Sequence, residues 1–113
     1  MMTTNVFAQI IAGKIAVDKV FENERILAFK DIHPVAPVHI LIIPKKEIAD
    51  LQSVQVEDLP LISEIVQVAQ LLAKAHHITE GYRLLTNNGA LAGQTVFHLH
   101  FHLIGGRKLE TLG

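Results

Sequence analysis

In residues 5–12, NVFAQIIA, the apolar positions Phe7, Ile10 and Ile11 recur at spacings of three and four behind Asn5. A short amphipathic helix is predicted there, capped by Asn5 and closed by Gly13. AVDKVFENERILAFKD then carries two runs of strand-forming residues around Glu22-Asn23-Glu24, which predicts a hairpin with strands near 17–22 and 25–30. HPVAP breaks the pattern, because Pro34 and Pro37 each remove a backbone donor. VHILIIP follows as a strand that is apolar on both faces and stops at Pro44, a pattern suited to the middle of a sheet.

From Leu59 to His76 the positions Leu59, Ile62, Val66, Ala69, Leu72 and Ala73 recur at helical spacing, with Pro60 tolerated in the first turn. Two last strands are predicted in GYRLLTN and QTVFHLHFHLI, joined by the glycine-containing loop NGALAG. A hairpin, a central strand and two helices without regular βαβ alternation predict an α+β domain whose helices pack on a largely antiparallel sheet.

The last strand has an unusual division. Period-two alternation puts Val96, His98, His100, His102 and Ile104 on one face, and Phe97, Leu99, Phe101 and Leu103 on the other. The apolar face is expected against the core and the long helix, with the imidazoles on the opposite, more open side.

Composition narrows the class. At 113 residues the chain is expected to form one domain, 1–113, because two cores could not both be buried at this length. Half the residues are hydrophobic and the mean hydropathy is +0.34, an apolar surplus that suggests contact with a second subunit. A net charge of −1 with scattered Lys and Arg leaves no nucleic-acid footprint. The absence of cysteine excludes disulfides and thiolate metal sites. No segment reads as a signal peptide or as the roughly 20 apolar residues that span a bilayer, so no membrane partner and a cytoplasmic location are expected.

The histidines admit three explanations. A metal site is limited by distance, since at about 3.3–3.4 Å per residue His98 and His102 start some 13 Å apart along a strand. His39 could add a ligand, but no acidic residue accompanies the triad in the sequence. Ordinary half-buried histidines are the plain alternative, although three on one face gain little as packing and need partners when buried. The third explanation is nucleophilic attack on phosphorus. Neutral imidazole is available near pH 7, and a fixed acceptor on its second nitrogen selects the attacking tautomer. His100, with a histidine on either side, is best placed for it.

The surrounding residues suit a nucleotide. In NNGALAGQT, Gly89 and Gly93 let backbone amides approach an anion, and Asn87 and Thr95 add side-chain donors. Neither the Walker spacing nor a GxGxxG fingerprint is present. Asp31 offers a carboxylate for ribose hydroxyls or, equally, a turn. Phe7, Ile10 and Ile32 offer apolar surface for a base or for the core. His33, His76 and His77 carry no pattern and read as loop or helix-end residues.

With these residues in view, the sequence resembles the histidine triad (HIT) superfamily, whose His-x-His-x-His-x-x signature HLHFHLI matches throughout. DIHPVAPVHILIIPKK and GYRLLTNNG…GQTVFHLHFHLIGGR are similar to its Hint-like branch. The resemblance implies a five-stranded antiparallel sheet with one long and one short helix, and a homodimer joining two such sheets. It also implies hydrolysis of purine nucleoside phosphoramidates, AMP- or GMP-linked amines, through a nucleotidyl-histidine intermediate, with no cofactor and no metal. The catalytic set it implies is His100 as nucleophile with His102, His98 and His39. Asn87, Gly93, Gln94, Thr95, His100 and His102 would surround the phosphate, Asp31 the ribose, and Phe7, Ile10 and Ile32 the base. A dinucleoside polyphosphate hydrolase of the same superfamily and a nucleotide-binding scaffold are the rivals. His33, the apolar Ala90-Leu91-Ala92 and the short tail after GGR depart from the branch.

Overall fold

A computed structural model describes residues 5–112 of the chain. The first helix, α1 (Val6–Ile11), starts where Asn5 Oδ1 accepts the Ala8 N–H at 2.7 Å, satisfying a donor that has no partner within the helix. It ends at Gly13, whose φ of +79° is open to glycine at little cost and whose N–H reaches the Ile10 carbonyl. Strands β1 (Lys19–Glu22) and β2 (Ile26–Lys30) form the expected hairpin. Asn23 Oδ1 closes it by accepting the N–H groups of Arg25 and Ile26, a use of the short amide side chain that favours turns.

Strand β3 (Val38–Pro44) stops at its proline. Two 3-10 turns, Leu51–Ser53 and Val56–Asp58, lead into α2 (Leu59–Ala75). Strand β4 (Tyr82–Leu85), a 3-10 turn at Ala90–Ala92 and β5 (Phe101–Gly105) complete the chain. The five strands form one antiparallel sheet in the order β1-β2-β3-β5-β4, with β3 at the centre.

Alternation within β2 and β3 explains why both are apolar throughout. Ile26, Ala28, Ile40 and Ile42 face α2 and meet Ile65, Val68, Ala69, Leu72 and Ala73, together with Leu99, Phe101 and Leu103. Leu27, Phe29, Leu41 and Ile43 face the other way and are covered by Phe7 and Ile10 of α1. Each such side chain taken fully out of water contributes roughly 1.5–3 kcal/mol. The sheet is therefore sandwiched, with the long helix on one face and the short helix on the other.

Two expectations need correcting. Leu59 and Val66 are 53% and 41% exposed; the face of α2 that meets the sheet is led by Ile65 and Val68 instead. The helix carries more apolar positions than one sheet face can cover, and spacing alone does not say which stripe docks. The final strand is also shorter than its pattern, since pairing begins only at Phe101. Phe97, assigned by alternation to the core face, is 49% exposed because it precedes the ladder.

Candidate active site

His98, His100, His102 and His39 are brought together, but not on an open face. His98 and His100 are buried just before β5. The Leu99 N–H binds the Ile48 carbonyl at 2.6 Å and Thr86 Oγ1 donates to the His100 carbonyl at 2.7 Å, fixing this segment outside the ladder. His102 lies on β5 opposite Leu41, and His39 on β3 one step along the same face. Phe7 of α1 stands edge-on to the His100 ring at 5.0 Å between centroids. The short helix thus closes over the side that the pattern predicted to be open.

The partners assign the tautomer of every ring. His100 Nδ1 lies 2.7 Å from the His98 carbonyl, which can only accept, so Nδ1 carries the proton and Nε2 the lone pair. His98 Nε2 donates to the Pro44 carbonyl at 2.8 Å, and its Nδ1 accepts from Asn5 Nδ2 at 3.4 Å. The Val35 N–H donates to His39 Nδ1 at 3.2 Å, which puts the His39 proton on Nε2. That proton points to His102 Nδ1 at 2.9 Å, leaving His102 protonated at Nε2. A lone pair on His100 and a donor on His102 stand on neighbouring rings whose centroids are 5.2 Å apart.

Burial favours the neutral form of three of these rings. The His39 and His98 imidazoles are held below the usual histidine range, chiefly because a charged ring would lose its water. His102 is lowered to about 4, first by burial and then by repulsion from His100 and His39.

Asp31 also belongs to the cluster, contrary to the expectation that no acidic residue would accompany the triad. It directly follows β2, and its Oδ2 lies 3.3 Å from His39 Nε2. Oδ1 accepts the His33 N–H at 2.8 Å, the turn role considered for it. Asp31, His39 and His102 each bring a donor atom within 4.8 Å of the other two, close enough for one cation. The hydrogen bonds disfavour that use. A metal on His39 Nε2 requires its proton to move to Nδ1, where it would oppose the Val35 N–H. The trio fits a shared proton better than a metal.

A cavity of about 430 Å³ opens beside the cluster and is lined by Phe7, Ile10, Asp31, Ile32, Thr95, His100 and His102. Its volume suits a nucleoside. Ile32, 80% exposed, forms part of the rim. Asn87 and Gly93 do not line this cavity. Gly89 and Gly93 do adopt the positive φ values, +88° and +97°, that glycine accommodates. Gln94 is buried with its side chain fully used: Oε1 accepts the Gly89 N–H and Nε2 donates to the Ala49 and Val96 carbonyls. It fastens the loop and has no free group for a ligand. The sequence reading missed Ile15, Val17, Phe29, Lys30 and His33 in the wall. For Phe29 the signal was present, since alternation puts it on the face of β2 opposite Ala28.

Comparison with known proteins bears on this arrangement. The HIT domain family pattern matches residues 12–109. A HIT-like protein of Chlamydia pneumoniae is 53% identical over 107 residues, covering 95% of this chain and 97% of that one. The structure is similar to that of a HIT family hydrolase from Clostridium thermocellum, with a TM-score of 0.93, 42% identity and coverage of 99% and 98% of the two chains. It is also similar to a histidine triad nucleotide-binding protein from Candida albicans, with a TM-score of 0.80, 35% identity and coverage of 96% and 86%.

Proposed function

The chain belongs to the HIT domain family, and from that premise we propose that it is a nucleotide hydrolase that cleaves the P–N bond of purine nucleoside phosphoramidates. The carrying observation is the fixed tautomer of His100: with Nδ1–H held by the His98 carbonyl, the Nε2 lone pair is the nucleophile. Solved relatives described as a HIT family hydrolase and as a histidine triad nucleotide-binding protein support the class of reaction.

The purine occupies the apolar end of the cavity between Phe7, Ile10 and Ile32. Asp31, with lone pairs beyond those used by His33 and His39, accepts from the ribose hydroxyls. Thr95 Oγ1 and His102 Nε2–H donate to phosphoryl oxygens, and Gln94 fastens the loop from Gly89 through Gly93 that leads to Thr95. His100 Nε2 attacks phosphorus, the P–N bond breaks, and the amine leaves with a proton from solvent. The imidazolium formed keeps its Nδ1–H on the His98 carbonyl, which stabilises the positive charge. Water then attacks phosphorus, the P–Nε2 bond breaks, and nucleoside monophosphate leaves as the water's proton returns to solvent.

His39 orients His102 and does not relay protons. Passing its Nε2 proton onward would leave an imidazolate, since Nδ1 has only a backbone amide to draw on.

Turnover of an adenosine phosphoramidate by metal-free protein tests this assignment. His100→Gly is expected to lower kcat by about a thousandfold or more while AMP still binds, and mass spectrometry of quenched wild-type reactions should find adenylate on His100. A chelator is expected to leave the rate unchanged. Equal or faster turnover of a diadenosine polyphosphate would move the assignment to that substrate class, and an unaltered rate in His100→Gly would reject the nucleophile.

A further inference from the structure

We propose that the carboxylate meeting the ribose also tunes the hydrogen-bond donor at the phosphate: Asp31, acting through His39, sets the strength of the His102 Nε2–H, an inference that rests on the nucleotide reading above. Ribose hydroxyls then contribute to turnover as well as to binding.

The His39 Nε2–H is one proton between two acceptors, His102 Nδ1 at 2.9 Å and Asp31 Oδ2 at 3.3 Å. It cannot retreat to the other ring nitrogen, because the Val35 N–H occupies that lone pair. The two acceptors therefore compete. Without nucleotide, the charged oxygen draws the proton partly away from the neutral ring. When ribose hydroxyls donate to the carboxylate, its charge is offset and its lone pairs are taken, so the proton moves onto the axis toward His102 Nδ1. Acceptance at Nδ1 polarises the His102 ring, and its Nε2–H becomes a stronger donor, as in any chain of hydrogen bonds. No covalent bond changes and no proton changes owner.

Other charged or titratable groups are placed so that they do not substitute for Asp31. His100 faces His102 with its Nδ1–H committed to the His98 carbonyl. Lys30 pairs with Asp18 at 3.5 Å. His76 lines a small cavity of about 160 Å³ behind His39, together with Lys30 and Asp31, and its Nδ1 is held by the Leu72 carbonyl. His33 lines the larger cavity and meets Asp31 through its backbone N–H.

The test compares an adenosine 5′-phosphoramidate with its 2′,3′-dideoxy analogue on the full chain and on His39→Leu. In the wild type the dideoxy substrate is expected to raise KM and also to lower kcat by about threefold or more, the size of a weakened hydrogen bond. In His39→Leu the KM penalty should persist while the kcat ratio approaches one. A wild-type kcat ratio of one, or the same ratio in both proteins, overturns the coupling and leaves the nucleotide reading standing. Equal KM for both substrates, with no change in Asp31→Asn, overturns the ribose assignment and the coupling together. Nitrogen NMR of His102 in the wild type decides independently of turnover and of how well His39→Leu folds. Saturating AMP should shift both ring nitrogens more than saturating 2′,3′-dideoxy-AMP, and identical shifts would count against the coupling.

Discussion

Three imidazoles held neutral by burial make the stability of the molecule depend on pH in a window that belongs to them. His39, His98 and His102 bind protons in the unfolded chain near the ordinary value of about 6.5, but only at lower pH in the folded one. Their contribution is therefore complete above about pH 6.5 and is lost as the pH falls toward about 4, where the folded His102 takes its proton. Glu22, Asp58 and Glu64 are held below their usual range by lysine and arginine partners, so their contribution is lost as the pH falls from about 5 through the usual carboxylate range and beyond, which leaves the interval above about pH 5 to the histidines. The urea midpoint should fall between pH 7 and pH 5, and less steeply in His98→Gln; a flat midpoint would contradict buried neutral rings. The spacing of these histidines was legible in the sequence. Their tautomers were not, because these are set by groups that no local pattern connects to them: the Val35 N–H, the Pro44 carbonyl and the Asn5 amide.

At the level of elements, the run from Thr86 to His100 holds its shape through side chains more than through pairing. Gln94 bonds the Gly89 N–H and the Ala49 and Val96 carbonyls at once. Gln94→Leu leaves those groups without partners and is expected to lower the unfolding free energy by about 2–4 kcal/mol, measurable by urea titration, with weaker AMP binding as the loop loosens. The family resemblance placed Gln94 at the ligand; only its three partners reveal a brace. Element type was legible in α1 and α2 from helical spacing, and in β3 from a short apolar run ended by Pro44. It failed at the start of β5, where alternation continued through His98 and His100 although the backbone had left the ladder. The same limit applies to α2, whose two apolar stripes are distinguished only by the sheet they meet.

For the whole molecule, the sandwich leaves apolar surface unused. Leu59, Val66 and Leu71 on α2 and Tyr82 on β4 remain exposed, and among the described residues β4 pairs only with β5. We propose that two chains associate across β4, continuing the sheet. Light scattering should give a mass of about 25 kDa, twice the 12.5 kDa of one chain; a value near 12.5 kDa at micromolar concentration would count against the dimer. Among the described residues, no helix is long and apolar enough to cross a membrane. The α+β class and the antiparallel sheet were legible because strand and helix periods differ plainly along the chain. The second small core beneath α1 was not, since Phe7 and Ile10 read equally well as base pocket or as packing; they pack in that core and also line the cavity.

The hydrogen bonds that hold the histidine cluster join positions remote along the chain: 54 residues separate His98 from Pro44, 63 separate His39 from His102, and 93 separate Asn5 from His98. Closing loops of that size precedes any reward from the contacts they permit. During refolding, competence to hold nucleotide should thus emerge only with the final cooperative step, after the β1–β2 hairpin and α2 have already acquired their shape.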